Sequence, residues 1–175
     1  PHGRFLSVDR DCAGMFDRIL FPTDGGDGAD AAFDHVLDVA TDHGATVHLL
    51  NVADTTHDSV TRVGRTVIDV LESEGEGVVE AAAERAAERG VETVTAVLQG
   101  GVPFLGNLRA GLGQGGAPET IATYASEHDV DLIAIPTRGR TGLDRLLLGS
   151  TTEHVVRRSS VPVLSIRPDG EAMAY

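Results

Sequence analysis

Gly139 and Gly149 stand ten positions apart, and the second is followed at once by three hydroxyl residues, Ser150, Thr151 and Thr152. The segment leaves an apolar, strand-like run, Leu132-Ile-Ala-Ile135, and enters helical spacing from Ser150 to about Ser159. Glycines at a strand's exit let backbone approach a ligand with no Cβ in the way. A helix opened by Ser-Thr-Thr offers N–H groups, hydroxyls and the positive end of its dipole, all of which favour an anion. The chemistry on offer is phosphate binding. It is not that of the P-loop, which needs a lysine after its second glycine, because the 14 basic residues here are all arginine. On local residues alone, a plain helix N-cap after a glycine-rich loop competes with it.

A second constellation is Pro22-Thr23-Asp24, which ends the short apolar run Arg18 to Phe21 and precedes Gly25-Gly-Asp-Gly28. A carboxylate there either caps the following helix or reaches a ligand beyond the strand. Catalytic arrangements are scarce. Ser150 and His154 lie four apart, but no Gly-x-Ser-x-Gly elbow exposes a nucleophile, and the 7 histidines form no zincin-type pair. Gly111-Leu-Gly-Gln-Gly-Gly116 satisfies the dinucleotide-binding spacing, yet it lies well beyond the strand it should follow, so that reading is rejected.

Positioning these groups requires alternating elements. Strands are expected at Arg18–Phe21, Thr46–Val52, Thr93–Leu98, Leu132–Ile135 and Val161–Ile166. Helical patterns fill the gaps: Ala29 to His43, Val67 to Gly90, Ala117 to His128 and Ser150 to Ser159, with Gly75 and Gly77 as expected interruptions of the second. Strands alternating with helices predict a doubly wound α/β sandwich on a parallel sheet. Such sheets bind ligands beyond the carboxyl ends of their strands, where strand order reverses. The loops after the first and fourth strands, Pro22-Thr23-Asp24 and the glycine segment, then meet at one cleft.

Composition narrows the partners. A net charge of −13 on 175 residues repels nucleic acid and anionic lipid. The acidic, lysine-free, aromatic-poor chain suits high salt, as in a halophilic archaeon, where self-repulsion is screened. No apolar run approaches the roughly 18 residues of a membrane span and no leader pattern is recognised, so a soluble cytoplasmic protein is expected. Cys12 has no partner for a disulfide or metal site. Residues 1–14 read as an extension, 15–168 as one domain, and 169–175 as a tail. Gln99-Gly-Gly101 recurs as Gln114-Gly-Gly116, which marks 101–115 as a glycine-rich insertion, a candidate to fold over a bound nucleotide.

From Met15 to Pro168 the chain resembles the universal stress proteins. The likeness rests on Ile19-Leu-Phe-Pro-Thr-Asp24, His48-Leu-Leu-Asn-Val52, Asp129-Val-Asp-Leu-Ile133, and above all Gly-Arg-Thr-Gly-Leu-Asp-Arg-Leu-Leu-Leu-Gly-Ser150 and Val161-Pro-Val-Leu-Ser-Ile166. The family signature Gly-x2-Gly-x9-Gly-(Ser/Thr) is matched by Gly139, Gly149 and Ser150, whereas its first glycine falls on Pro136. The resemblance implies an adenine nucleotide alpha hydrolase-like fold, strand order 3-2-1-4-5, ATP at the switch point and a homodimer through the last strand, Val161 to Ile166. It implies nucleotide contacts from Pro22, Thr23, Asp24, Val52, Ile135, Pro136, Gly139, Gly149, Ser150, Thr151 and Thr152. Asp24 would reach Mg²⁺ or Mn²⁺ on the ATP; AMP or a cyclic nucleotide is an alternative ligand. Hydrolysis, if any, would be slow, since no base or arginine finger is evident. Pro136 lacks an N–H and holds φ near −65°, which keeps open a nucleotide-free module that binds a protein partner. An adenylyl-transferring or flavin-linked enzyme on a related sheet is a third reading, without a His-x-Gly-His signature to support it.

Overall fold

The computed structural model describes residues 14–54, 65–100, 116–137, 149–167 and 172–174. Strands β1 (Arg18–Pro22), β2 (Thr46–Asp54), β3 (Thr93–Gly100), β4 (Leu132–Pro136) and β5 (Val163–Ile166) alternate with helices α1 (Asp27–His43), α2 (Arg65–Glu88), α3 (Ala117–Glu127) and α4 (Ser150–Arg158). The five are parallel in the order β3-β2-β1-β4-β5, as expected. A sixth strand, β6 (Ala172–Ala174), falls in the segment expected to be a tail, and it runs antiparallel along β5. The expected N-terminal extension (apart from Gly14), the 101–115 insertion and Gly139 lie outside the described residues.

Each strand feeds both faces of the sheet because side chains alternate. Ile19, Phe21, Val47, Leu49 and Ala134 pack against α1 and α2, with Phe33 stacked on Phe21 at 5.0 Å between ring centroids. Leu20, Leu50, Ile133 and Ile135 pack against Ile121 and Tyr124 of α3 and Val155 of α4. α1 stops at Gly44, whose φ of 67° is the left-handed conformation of a helix C-terminus. Along the outside of the first layer, Arg85 and Arg89 of α2 bridge Asp30, Asp34 and Asp38 of α1, a ladder at four-residue spacing.

Two sequence expectations need correction. α2 runs unbroken from Arg65 to Glu88, through both glycines. Gly75 is there for close approach: a Cβ at this position would stand 2.6 Å from Asn51 Oδ1 and 2.9 Å from Val97 Cγ1, so a side chain would push the helix off β2 and β3. Nothing lies within 4 Å of a Cβ at Gly77. The outer edge of β5 is likewise not open for a dimer, because β6 pairs Leu164, Ser165 and Ile166 with Ala174, Met173 and Ala172.

The two glycines predict opposite outcomes. Gly77→Ala gains helix propensity and stabilises by about 0.5–1 kcal/mol. Gly75→Ala gains the same propensity but overpacks, and destabilises by a net ~1–2 kcal/mol. Urea unfolding of the two variants beside the native chain measures both; equal shifts in one direction would contradict the packing argument.

Candidate functional site

β1 and β4 are neighbours over only Ile19↔Leu132 and Leu20↔Ile133. Beyond that register they separate, since β1 continues into the α1 crossover and β4 into the α4 crossover on opposite faces. The gap becomes a cleft of about 260 Å³. Its floor is Pro22, Thr23 and Asp24 from β1 and Ile135 and Pro136 from β4; its walls are Leu50 and Val52 of β2, Ala117 and Ile121 of α3, and Gly149 to Thr152 of α4. Ten of the eleven residues expected from the sequence therefore line one space, and Gly139 is the one outside the described residues. Leu50, Ala117 and Ile121 were missed. Leu50 was legible as the alternate residue to Val52 on the same strand face, whereas the α3 pair depended on where that helix lands.

The β1 exit is held in shape by its own polar groups. Thr23 N–H donates to Leu50 O at 2.9 Å, Asn51 Nδ2 donates to Thr23 O at 2.9 Å, and Gly25 N–H donates to Thr23 Oγ1 at 3.1 Å. Asp24 Oδ1 accepts from Gly26 N–H at 3.0 Å, a local Asx turn. The N-cap of α1 is Gly26, with no side-chain cap, so Asp24 is not the cap of that helix. Gly25 sits at φ 70° and a Cβ on it would meet Val78 Cγ2 at 2.7 Å, two reasons for glycine.

Across the cleft, Thr137 N–H donates to Ile166 O at 2.8 Å and Gly149 N–H donates to Thr137 O at 3.0 Å, which hangs the start of α4 directly on the end of β4. A Cβ on Gly149 would stand 3.2 Å from Thr137 O. No side chain caps α4. Its first-turn N–H groups, on Ser150, Thr151 and Thr152, have no acceptor within the helix and mark a region of positive potential. The hydroxyls are not equivalent. Thr152 is buried and donates to Pro136 O at 3.1 Å, so its hydroxyl proton braces the loop, contrary to the expected donation to a ligand. Ser150 is exposed and Thr151 half-buried. His154 Nδ1 donates to Ser150 O at 2.6 Å, not to the hydroxyl, so Ser150 and His154 do not form a nucleophile–base pair.

Pro136 fits its place better than its sequence position suggested. Ile133 and Thr137 donate to Pro162 O and Ile166 O of the β5 side. By strand alternation the nitrogen of Pro136 faces β1, where the two strands have already parted. The ring removes no donor from the β4–β5 ladder.

Beneath Leu50 and Ile121 lies a buried polar contact. His48 Nδ1 and Tyr124 Oη are 3.1 Å apart, and the His128 ring stacks 4.0 Å from Tyr124 and 6.0 Å from His48. Burial, with the nearby His128 and Arg18 charges adding to it, holds His48 below the usual histidine range, and burial pushes the Tyr124 phenol up. Arg158 of α4 pairs with Glu119 of α3 and ties the two walls together. Among the described residues no three His, Cys, Asp or Glu side chains converge as a metal cage, and no described helix is long and apolar enough to cross a membrane.

The pH prediction follows from His48. Its folded-state affinity for protons is lowered, so the unfolded chain binds more protons as pH falls below about 6.5. The contribution is complete above that value and lost below it, through the depressed folded value. Denaturant titrations from neutral to mildly acidic pH should show stability declining, with His48→Gln removing part of the decline; an unchanged slope in the variant would exclude His48 as its source.

Comparison with known proteins places this geometry in context. The model of the universal stress protein family matches residues 15–167. Universal stress protein MJ0531 of Methanocaldococcus jannaschii is 29% identical over 92% of this chain and 88% of its own. The solved structure of MJ0577, described as a structure-based assignment of biochemical function, superimposes with a TM-score of 0.72 at 27% identity, covering 87% of this chain and 96% of that one. Two more distant neighbours share the fold at TM-scores of 0.59 and 0.58 and 19% and 17% identity, covering 87% and 86% of this chain and 98% of each of theirs. One is a universal stress protein in complex with cAMP, the other that of Archaeoglobus fulgidus in complex with dAMP.

Proposed function

The chain belongs to the universal stress protein family, and from that premise we propose that its cleft binds an adenine nucleotide, ATP with Mg²⁺ or Mn²⁺, in a regulatory role. The observation that carries the reading is the division of the cleft. Leu50 and Val52 of β2 and Ala117 and Ile121 of α3 make an apolar half, suited to a flat base. The uncapped start of α4 makes the other, suited to phosphate. Complexes of distant family members with cAMP and dAMP support the same ligand class. A divalent cation would be held by the phosphate oxygens and the Asp24 carboxylate, and would neutralise their mutual repulsion.

The role proposed is binding, with hydrolysis at most slow. Among the described residues no base stands beside the start of α4, where Ser150 and His154 are turned from each other. A homodimer in a high-salt cytoplasm belongs to the same reading; within one chain the outer edge of β5 is paired by β6 along Leu164 to Ile166. Pro136 favours the other reading, a nucleotide-free module for a protein partner, only if a donor is needed at its nitrogen.

Calorimetric titration in about 1 M KCl, where charge repulsion is screened to within ~3 Å, tests the proposal. Native protein should bind ATP–Mg²⁺ at micromolar concentration. Pro136→Gly should improve affinity by no more than about a hundredfold, the value of one hydrogen bond to a charged oxygen. Asp24→Asn should weaken ATP–Mg²⁺ while leaving AMP without metal nearly unchanged. Silence from the native chain with ATP and AMP, broken only by Pro136→Gly, would instead favour the partner-binding module.

A further inference from the structure

The apolar half of the cleft and the buried polar contact beneath it belong to one seam. Along α3, Ala117, Ile121, Tyr124 and His128 follow at intervals of four, three and four residues, which sets them on one side of the helix and its C-cap. Along β2, Val52, Leu50 and His48 alternate onto the sheet face that α3 covers. At the open end of the seam, Ala117 and Ile121 stand with Val52 and Leu50 as cleft walls. At the closed end, Tyr124 Oη lies 3.1 Å from His48 Nδ1, and the His128 ring stacks on Tyr124. Ile121 is less than one helical turn from Tyr124. A displacement of Tyr124 on His48 therefore carries the cleft wall with it.

The surroundings of His48 suit a neutral ring. It is 7% exposed, and its neighbours in register, Leu20 of β1 and Val94 of β3, are uncharged. α3 presents the Tyr124 phenol, and its C-cap presents His128, with ring centroids 6.0 Å apart. β1 adds Arg18, whose Nη1 lies 3.8 Å from Asp129 Oδ2. Glu92, just before β3, and Glu127, in the last turn of α3, are exposed. Asp131 Oδ2 accepts from the N–H groups of Asp17 and Arg18. A neutral imidazole can share its hydrogen bond with Tyr124 in either direction. A protonated one must donate from both nitrogens, in a buried space beside His128 and Arg18. Burial first, then those two groups, hold its proton affinity down.

On the premise that the cleft binds an adenine nucleotide, we propose that His48 and Tyr124 are positioning residues for the α3 wall and make nucleotide affinity proton-dependent. A neutral His48 seats Ile121 opposite Leu50 around the base; a proton on His48 displaces α3 and opens the apolar half. The phosphate half is spared, because the start of α4 hangs on β4 through Gly149 and Thr137, across the cleft. Since the folded-state value of His48 is lowered, the seat is complete above the ordinary histidine range and is lost as pH falls through the depressed value. By reciprocity, bound nucleotide holds the proton off His48.

Two measurements on the full chain test this, in about 1 M KCl from about pH 8 down to about pH 4.5. NMR of the free protein follows the His48 ring and the Ile121 methyl groups. Calorimetry follows ATP–Mg²⁺ and, as a phosphate-only probe, tripolyphosphate–Mg²⁺. The Ile121 signals should move with the His48 midpoint, and ATP affinity should fall through it by at least about fivefold, the low end for coupled sites. His48→Gln, which bonds but does not titrate, should abolish that loss for ATP and leave the tripolyphosphate profile as in the native chain; phosphate's own titration near pH 6 is common to both. His128→Asn, at an exposed position, should move the Ile121 and ATP midpoints together to higher pH, which a purely structural His48 would not do. An ATP profile identical in the native chain and His48→Gln overturns the proposal and leaves the nucleotide reading standing. Ile121 signals that ignore the His48 midpoint also overturn it. No ATP binding at any pH, with Ile121 still following His48, overturns the nucleotide reading alone and supports proton control of the α3 wall.

Discussion

The separation of β1 from β4 is the constraint on which the rest depends. Apart from the exposed Arg18, both strands are buried central members of the sheet, and each must be continued by a crossover helix. One crossover leaves to the α1 face and the other to the α4 face, so β1 and β4, paired at Leu20↔Ile133, no longer pair with each other beyond it. Orphaned backbone at the edge of a core is costly unless something satisfies it. Much of the local structure answers that need: Thr23 bonds β2, Thr137 bonds β5, and Thr152 returns its hydroxyl to Pro136. What remains unanswered within α4 is its first turn, and that is the polar half of the cleft.

An acidic chain that receives an anion must concentrate its few positive features. Among the described residues at the cleft, the source is backbone. A helix N-terminus contributes roughly half a unit of positive charge without any ionisable group, and it is fixed to β4 through Gly149 and Thr137. Fixed backbone dipoles of this kind act at contact range, so salt screens them less than it screens the long-range repulsion of the acidic surface. Arg85, Arg89 and Arg158 are spent differently, on the α1–α2 ladder and the Arg158–Glu119 tie. These are partly exposed pairs, of modest individual value, and their main effect is to set helix positions.

Pairing at the sheet's margins follows the same economy of backbone groups. β6 satisfies β5 along Leu164 to Ile166. On the opposite margin β3 presents its odd-numbered backbone groups outward, beside two apolar side chains.

How much could be read from residues alone divides along a physical line. Periodicity and β-branched runs determined the five parallel strands and four helices nearly to their ends, because alternation and 3.6-residue spacing are local records of burial. The cleft's two strand exits and the Gly149-Ser-Thr-Thr cradle were legible for the same reason, each being one contiguous stretch read against a general rule for doubly wound sheets. What the sequence could not settle were matters of separation in space. Whether Gly75 breaks α2 or admits it closer to Asn51 and Val97 depends on a neighbour 24 residues away in one case and 22 in the other. Whether Pro136 costs a ligand its donor depends on which neighbour its nitrogen faces. The α3 wall of Ala117 and Ile121, the commitment of the Thr152 hydroxyl to Pro136, and the covering of β5 by β6 were all decided by tertiary packing. Local pattern records that a residue is buried or capped; only the assembled chain decides against what.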